Sequence, residues 1–351
     1  MTLDTRNCKD YHSGTMREAR YYEKLDERQV RCRLCPHACL IQPGERGICG
    51  VRENQGGTLM SLNYARAIAV HTDPIEKKPL FHVLPGSQSL SVATVGCNMK
   101  CAHCQNHDIS QYPKRRHQIP GEDAVPEAVV DEARAVGAAT ISLTYTEPTI
   151  FMEWGQDIAA LAAPAGIRCV SVTNGFTQEQ PLRDLAPHLL AANVDLKAYR
   201  QEFYHEVCGA SLQPVLDTIR RMHDLGVWVE VTTLLIPGMN DSVEELRELA
   251  GFIASVDPAI PWHLSRFHPD NQMTDRPATP VSSIDRARKV GKEAGLRFVY
   301  SGNVWGDEGE HPRCPACGEV IIERYGFSVR RNKMRDGACP ACGERIEGVW
   351  S

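Results

Sequence analysis

The chain has 351 residues, of which 42% are hydrophobic and 24% charged, and it carries a formal net charge of −5. This composition is typical of a globular protein, and the acidic balance argues against a nucleic-acid partner, which would need a broad basic face. No apolar run approaches the ~20 residues that span a bilayer, and the N-terminus has no apolar signal region. We therefore expect a cytoplasmic protein with no membrane partner.

Cysteines are the first informative feature along the chain, because clustered cysteines in a reducing compartment indicate metal sites rather than disulfides. Of the 14 cysteines, all but Cys8, Cys169 and Cys208 fall into three clusters, and these three are interpreted as ordinary residues. The first cluster has the spacing C-x2-C-x3-C-x9-C and consists of Cys32, Cys35, Cys39 and Cys49. Four thiolates suit structural zinc or a second iron–sulfur cluster. The short, loop-like segment favours zinc, and both alternatives stay open.

A charged stretch at residues 73–79 precedes the first predicted strand of the central region. Such a run is interpreted as a solvated face. The alternative, which only a resemblance to a known family favours, places Lys77 and Lys78 at the mouth of a barrel, where they would bind an anionic substrate.

From residue 89 onward, predicted strands alternate with predicted helices. The strands are expected at residues 89–95, 140–145, 169–173, 193–196, 227–236, 262–267 and 297–301. The helices are expected at residues 125–136, 153–163, 180–190, 212–225, 242–255 and 283–294, with Asp241 as the N-cap of the fifth. This alternation predicts βαβ units around a parallel sheet. The fold class is therefore α/β, with an open or partial (β/α) barrel.

Polar residues follow several of these strands at the point where each strand ends. They are Glu147, Thr173, Asn174, Asp195, Lys197, His268 and Asn303. The C-terminal ends of parallel strands in a barrel meet at one mouth, where the chemistry takes place. We therefore expect these side chains to converge, and the agreement of several strands argues against their being unrelated loop residues.

The second cysteine cluster follows the first of these strands, with the spacing C-x3-C-x2-C at Cys97, Cys101 and Cys104. Three thiolates can hold three irons of a 4Fe–4S cubane and leave the fourth iron open, whereas ferredoxin-type sites use four protein ligands. An open iron can chelate the amino and carboxylate groups of S-adenosylmethionine (SAM), and one electron then breaks a C–S bond to give a carbon radical. The alternative is a zinc knuckle that lacks one ligand.

The motif and its position are similar to those of the radical SAM superfamily. A wider set of segments resembles the radical SAM component of the AmmeMemoRadiSam system, a relative of the pyruvate formate-lyase activating enzymes. The segments are RCRLCPHAC, GICGVREN, DPIEKKPLFHVLPGS, TVGCNMKCAHCQNHDIS, TYTEPTIF, TNGF, VDLKAY, LIPGMND, HLSRFHP, YSGN and CPACG. The resemblance implies Memo-like and AMMECR-type protein partners and an electron donor such as flavodoxin or ferredoxin.

The resemblance also implies which residues bind the cofactor. Thr146 and Glu147 take the place of an element that receives the methionine amino group of SAM, where a carboxylate would pair with the ammonium. Thr173 and Asn174 match residues that line the ribose and methionine region. Val172 stands where the activating enzymes have an acidic residue, so one ribose contact would be missing.

Further roles follow from the same resemblance. Asp195 and Lys197 match an element that would contact the SAM carboxylate or the reacting centre. His268 corresponds to a strand-end histidine near the adenosyl group. His103 replaces an aromatic residue and should cover the adenine edge.

The third cysteine cluster lies near the C-terminus, where Cys314, Cys317, Cys339 and Cys342 occupy two copies of CPACG. Two such knuckles indicate a zinc ribbon in which backbone amides face the thiolates, and rubredoxin-like iron is the alternative. The sequence therefore predicts three parts: a cysteine-rich N-terminal lobe at residues 1–85, the barrel at 86–304 and the ribbon at 311–351.

These features predict a radical SAM enzyme that reductively cleaves SAM, makes a 5′-deoxyadenosyl radical and abstracts hydrogen from an unknown substrate. One alternative is a glycyl-radical-enzyme activase, and another transfers the 3-amino-3-carboxypropyl group of SAM. A non-catalytic iron–sulfur or zinc adaptor ranks last, because it would leave Glu147, Asn174 and Lys197 without a role.

Overall fold

The computed structural model describes residues 16–351, and Cys8 lies outside the described residues. The N-terminal lobe contains strands β1–β8 at Arg17–Glu18, Tyr22–Lys24, Val30–Cys32, Leu40–Ile41, Arg52–Gln55, Thr58–Ser61, Arg66–Ala67 and Ala69–Pro74. Two small antiparallel sheets form in the orders β1–β6–β5 and β2–β3–β4. Apolar side chains of this lobe pack into the same hydrophobic core as those of the barrel.

The main sheet continues from β8 with strands β9 (Gln88–Ala93), β11 (Thr140–Leu143), β12 (Arg168–Thr173), β13 (Leu189–Asp195), β14 (Trp228–Leu235), β15 (Trp262–Arg266) and β16 (Val299–Gly302). The order is β16–β15–β14–β13–β12–β11–β9–β8, and its two ends do not pair within residues 16–351. Strands β9 to β16 of this sheet are parallel, while β8 pairs antiparallel with β9. The predicted α/β partial barrel is confirmed, and the antiparallel edge strand is an addition. The short strand β10 (Glu122–Asp123) pairs with β7 outside this sheet.

Helices connect the strands at His107–Ser110 (α1), Tyr112–Arg116 (α2), Pro126–Ala135 (α3), Met152–Ala162 (α4), Glu179–Leu185 (α5), Gln201–Phe203 (α6), Gln213–Asp224 (α7), Val243–Val256 (α8) and Val281–Glu293 (α9). The predicted helix at 180–190 ends earlier than expected, and Leu189 already belongs to β13. Pro187 explains the difference, because proline lacks the amide donor that would continue the helix. The N-cap of α8 is Ser242 rather than Asp241, since the Ser242 hydroxyl accepts from the Glu245 N–H at 3.2 Å.

The C-terminal unit contains an antiparallel hairpin of β17 (Ile322–Tyr325) and β18 (Ser328–Asn332) between the two cysteine knuckles. A second apolar cluster joins this unit to the barrel and consists of Phe81, Phe298, Tyr300, Cys314, Ile321, Cys339 and Ile346. In the part of the chain that the structure describes, no helix is both long and apolar enough to cross a membrane.

His82 lies fully buried at this junction. Its Nδ1 lies 2.6 Å from the Glu347 carbonyl, and its Nε2 lies 2.6 Å from the Tyr300 hydroxyl. A carbonyl can only accept, so Nδ1 carries the proton and Nε2 accepts from Tyr300. Burial lowers the pKa of His82 to about 4, although the charge of Glu230 opposes this shift.

We expect the stabilising contribution of His82 to be lost as the pH falls. When folding lowers the pKa of a histidine, its stabilising contribution is fully present above the pKa in the unfolded chain, which is about 6.5. The contribution decreases as the pH falls from that value to the pKa in the folded protein. For His82 the loss between pH 7 and pH 4 should be about 3 kcal/mol of unfolding free energy. Denaturant unfolding at several pH values should therefore show a smaller pH dependence in His82→Gln. An equal dependence in both proteins would contradict the prediction.

Candidate active site

The second cysteine cluster occupies the loop after β9. Gly96 has a positive φ of 103°, and a Cβ there would lie 2.7 Å from Val51 Cγ1, so glycine lets this loop pack closely on the N-terminal lobe. Cys97 and Cys101 are buried and Cys104 is half-buried. All three line a cavity of about 240 Å³ at the C-terminal ends of the parallel strands.

Hydrogen-bond donors surround the sulfurs of this loop. The Met99 N–H donates to Cys97 Sγ at 3.4 Å, and Asn174 Nδ2 donates to the same sulfur at 3.7 Å. Cys104 Sγ lies 3.4 Å from Ser110 Oγ. Burial raises the pKa of Cys97 and Cys104, so these thiols are neutral until a metal displaces their protons. The donors would then stabilise the thiolate charge.

Cys208 is a neighbour of this loop that the sequence did not reveal. It ends the π-helix Tyr204–Cys208, which is joined to the loop because the Ala102 N–H donates to the Val207 carbonyl at 2.9 Å. The neighbouring Cys208 thiol, together with burial, raises the pKa of Cys101. The interpretation of Cys208 as an ordinary residue therefore missed its contact with a predicted metal ligand.

Several strand ends contribute polar side chains to the same cavity. The predicted residues that line it are His103, Thr146, Thr173, Asn174, Asp195 and Lys197. Tyr145, Thr232 and Ser265 line it as well and were not predicted. Thr232 and Ser265 are hydroxyl residues near the ends of β14 and β15, so the rule that gave the other residues could have found them.

Asp195 and Lys197 form an ion pair at the cavity. Lys197 Nζ lies 3.0 Å from Asp195 Oδ2, and the Lys197 side chain is only 14% exposed. Burial opposes the charge of Lys197, but the Asp195 carboxylate raises its pKa above the ordinary value. The site therefore holds a permanent cation that would attract a carboxylate.

Two buried polar atoms at this cavity have no hydrogen-bond partner within residues 16–351, namely His103 Nδ1 and Thr232 Oγ1. Burial lowers the pKa of His103 to about 3, so its imidazole is neutral. Unsatisfied buried polar atoms cost free energy, which a bound ligand would recover. The convergent thiols, the ion pair and these two atoms together fit a metal cluster with a polar, charged cofactor beside it.

Glu147 is placed differently from its expected position. Its side chain is 1% exposed and is absent from the lining of the cavity. Oε1 accepts from the Thr149 N–H, the Thr149 hydroxyl and the Thr173 hydroxyl at 2.7–3.0 Å, and Oε2 accepts from the Asn174 N–H at 2.8 Å. The carboxylate therefore ties the segment after β11 to the end of β12. Its contact with a SAM ammonium stays a prediction.

We expect Glu147→Gln to lower the free energy of unfolding by about 1–3 kcal/mol. Both carboxylate oxygens accept hydrogen bonds from buried donors, so either orientation of a glutamine amide places an N–H against another donor. Denaturant unfolding should show the loss, with Glu127→Gln on the exposed surface of α3 as the matched control. Equal stability of the two variants would contradict this role.

His268 does not lie where the sequence predicted. It is exposed and does not line the cavity. Strand β15 ends at Arg266. The next residue, Phe267, donates its N–H to the Thr279 hydroxyl at 3.0 Å, and the Phe267 ring is buried in the core. Asn303 is also exposed, but its Nδ2 donates to Ser265 Oγ at 2.9 Å, which brings it to the edge of the cavity.

The charged stretch at residues 73–79 is not a solvated face. Lys78 is 2% exposed and donates to Asp73 Oδ2 at 2.6 Å, while Lys77 donates to Oδ1 at 2.8 Å. Neither lysine lines the cavity. The Tyr145 hydroxyl also donates to Asp73 at 2.6 Å. Because Tyr145 has a positive φ of 62°, this network fixes a strained residue at the mouth of the site.

The four C-terminal cysteines form the tightest ligand group. Their sulfurs all lie within 4.8 Å of one another, and in the range 16–351 this is the one group of three or more such ligands that does so. The distances between Cys314 and Cys342 and between Cys317 and Cys339 are both 3.6 Å. A tetrahedral ion with Zn–S bonds of ~2.3 Å separates its sulfurs by about 3.8 Å. These cysteines could therefore hold a single metal ion.

Comparison with known proteins gives a consistent result. A family model described as "Radical SAM superfamily" matches residues 91–251. An uncharacterized protein of Methanocaldococcus jannaschii is 45% identical over 90% of this chain and 93% of its own length. The pyruvate formate-lyase-activating enzyme of Staphylococcus epidermidis is 21% identical over 50% of this chain and 72% of its own. Streptococcus suis SuiB bound to S-adenosylmethionine shares the fold with a TM-score of 0.50 and 12% identity, over 65% of this chain and 53% of that structure.

Proposed function

The chain belongs to the radical SAM superfamily and is therefore an enzyme, and from this premise we propose that it cleaves SAM reductively at a 4Fe–4S cluster held by Cys97, Cys101 and Cys104. The superfamily implies both the cluster and SAM. When bound, they supply a 5′-deoxyadenosyl radical that would abstract hydrogen from the substrate. The substrate itself is unknown.

The main support is that the three thiols share one cavity with polar side chains from the ends of several parallel strands. Buried donors already face the sulfurs of Cys97 and Cys104. A structural zinc ion would need four ligands at single-ion distance, and within residues 16–351 the sulfurs of Cys97, Cys101 and Cys104 do not form such a group. This arrangement favours the open cluster that the spacing predicts.

The remaining residues would bind and orient the cofactor. Lys197, kept charged by Asp195, would attract a carboxylate. His103 and Thr232 offer their unpartnered polar atoms to hydrogen bonds with the nucleoside. Glu147 would act indirectly by positioning Asn174, because its carboxylate accepts a hydrogen bond from the Asn174 backbone N–H. Burial of these groups limits the access of water to a reactive intermediate.

Product analysis tests this proposal. The protein would be purified without oxygen, loaded with iron and sulfide, and mixed with SAM and dithionite. We expect 5′-deoxyadenosine by chromatography. Methylthioadenosine in its place would show transfer of the 3-amino-3-carboxypropyl group, and intact SAM beside a reducible cluster would favour the adaptor.

A second candidate is activation of a glycyl-radical enzyme. It is supported by the similarity to a protein named pyruvate formate-lyase-activating enzyme. Such an activase would take hydrogen from a backbone glycine of a protein partner. Electron paramagnetic resonance (EPR) of a mixture with a glycyl-radical protein from the same source would then show a glycyl radical. Absence of this signal would indicate that the enzyme acts on a different substrate.

We also propose the narrower assignment to the AmmeMemoRadiSam system. Its support is the set of motifs that extends from Cys32 to Cys342. Memo-like and AMMECR-type proteins would be partners, and a flavodoxin- or ferredoxin-type protein would supply electrons. Size-exclusion chromatography of the purified proteins together should show a complex. Separate elution at micromolar concentrations would exclude a stable complex.

We propose further that the C-terminal cysteines hold a structural zinc ion. Metal analysis should find about one zinc per chain at this site, because four thiolates within single-ion distance complete a tetrahedral shell. Since Cys314 and Cys339 belong to the apolar cluster that joins this unit to the barrel, Cys317→Ser/Cys342→Ser should lower the melting temperature. Iron without sulfide at the site would show the rubredoxin-like alternative.

A further inference from the structure

The first cysteine cluster has no role in the proposed reaction, yet its surroundings are those of a metal–thiolate site. The backbone amides of Leu34 and His37 lower the pKa of Cys32 and Cys35 respectively, against the larger effect of burial. The donor in each case lies two residues after the cysteine, as Met99 does for Cys97. The N-terminal loop thus presents amides to its sulfurs in the same way as the central loop.

The remaining two cysteines close the group. The backbone amide of Ile48 lowers the pKa of Cys39 against the larger effect of burial, and the Cys39 sulfur lies 3.6 Å from the position of a Cβ on Gly47. Cys49 directly follows Ile48 in the chain. All four cysteines are free thiols rather than disulfides. A hairpin of β3 and β4 and the loop at residues 44–50 therefore bring four thiols to one place.

A buried donor without a partner faces this group. Arg52 is 0% exposed, and its Nε has no hydrogen-bond partner in the described part of the chain. Its charge acts on Cys32 and Cys49, and it opposes the burial that raises the pKa of Cys32 to about 11. Thiolates bound to a metal would accept a hydrogen bond from the free N–H of this guanidinium, whose charge is already balanced by Glu153.

The separation of the sulfurs distinguishes the two metals that four thiolates suit. Within residues 16–351, no three N-terminal sulfurs lie within 4.8 Å of one another, whereas the C-terminal four do. In the same part of the chain, the three central sulfurs, those of Cys97, Cys101 and Cys104, do not all lie within 4.8 Å of one another either. One zinc ion holds its sulfurs about 3.8 Å apart, but in a cubane each thiolate binds a different iron and the sulfurs are more widely spaced. Within residues 16–351, the N-terminal sulfurs are therefore too far apart for a single zinc ion to bind them all, and the same is true of the central three.

The two cysteine loops are in direct contact. A Cβ on Gly96 would lie 3.2 Å from the Cys49 carbonyl, and His37 Nε2 lies 2.7 Å from the Asn98 carbonyl. Backbone contacts therefore connect the residues next to both sets of ligands.

We propose, on the basis of the proposed function, that Cys32, Cys35, Cys39 and Cys49 bind a second iron–sulfur cluster of the cubane class that passes electrons to the central one. A low-potential one-electron protein donor would be oxidised and the N-terminal cluster reduced by one electron. That electron would then move to the central cluster, which returns the N-terminal cluster to its oxidised level. Ile48, which is 52% exposed, places this site near the surface, where a donor can approach.

The test uses the full chain with the central ligands removed, as Cys97→Ser/Cys101→Ser/Cys104→Ser, purified without oxygen and loaded with iron and sulfide. We expect about four irons and four sulfides per chain to remain, and about eight of each in the unchanged protein. The reduced variant should give an EPR signal of a cubane. Because this variant cannot cleave SAM, the result is independent of whether the proposed function is correct.

A variant that also carries Cys32→Ser/Cys35→Ser should lose the remaining iron and sulfide. Zinc in place of iron in the first variant, or four irons in the unchanged protein, would overturn the proposal. Iron without sulfide would identify a mononuclear site and overturn it as well. For the relay, Cys32→Ser/Cys35→Ser alone should leave the central cluster reducible by dithionite but no longer by a flavodoxin, as followed by EPR. Equal reduction by flavodoxin in both proteins would overturn the relay.

Discussion

Replacing Cys101 with alanine is expected to abolish the formation of 5′-deoxyadenosine from SAM. Each of the three thiolates would hold a different iron of the cluster, and the loss of one ligand should leave the cluster unstable. The measurement is chromatography of the products after anaerobic loading and reduction, with iron and sulfide determined on the same sample. Cys169→Ala is the matched control, because Cys169 is a buried thiol in β12 that does not line the cavity.

The position of Cys208 makes this experiment more specific. Its thiol neighbours that of Cys101 and raises its pKa, so Cys208 would be the replacement ligand if any product remained in Cys101→Ala. Residual product in Cys101→Ala that disappears in Cys101→Ala/Cys208→Ala would identify this substitution. Undiminished product in the double variant would contradict the proposed cluster ligands.

Replacing Glu153 with glutamine is expected to lower the free energy of unfolding by about 3–5 kcal/mol. Glu153 in α4 and Arg52 in β5 form an ion pair with side chains that are 0% and 1% exposed. Arg52 Nη1 donates to Oε1 at 3.0 Å, and Nη2 donates to Oε2. The neutral amide would leave the guanidinium charge buried without a counterion, and removal of water makes such a charge costly.

Urea unfolding of the metal-loaded proteins would measure this effect. Glu293→Gln is the matched control, since Glu293 forms an exposed pair with Lys289 and exposed pairs contribute about 0–1 kcal/mol. The double variant Arg52→Met/Glu153→Leu should recover much of the loss, because it removes both charges. A loss in Glu153→Gln no larger than that in Glu293→Gln would contradict the prediction.

Much of the fold followed from local patterns. The alternation of apolar strands with helices predicted the seven parallel strands of the barrel. Both a buried strand and an amphipathic helix have a hydrophobic periodicity that depends only on residues close together in the sequence. The antiparallel strand β8 escaped prediction. Its residues 69–74 are polar or charged in part, and only Asp73 among them is buried. The burial of Asp73 depends on its contacts with Lys78 and Tyr145 at the edge of the sheet.

The candidate site was predictable where residues sit at the ends of strands. Asp195, Lys197, Thr173 and Asn174 line the cavity as expected, since the direction of parallel strands brings their ends together. The same rule placed His268 and Glu147 there too. A side chain's direction depends on how the segment after the strand turns, which sequence periodicity does not encode.

By itself, the sequence determined the class of enzyme and the spacing of its proposed metal ligands, because both are set by residues only a few positions apart in the chain. Tertiary structure alone decided the long-range pairs, such as Arg52 with Glu153 and Cys101 with Cys208. These partners are separated by about a hundred residues, and no local pattern links them. Their proximity results from packing the N-terminal lobe and the π-helix against the barrel, where burial removes water and makes each charge or thiol depend on its neighbour.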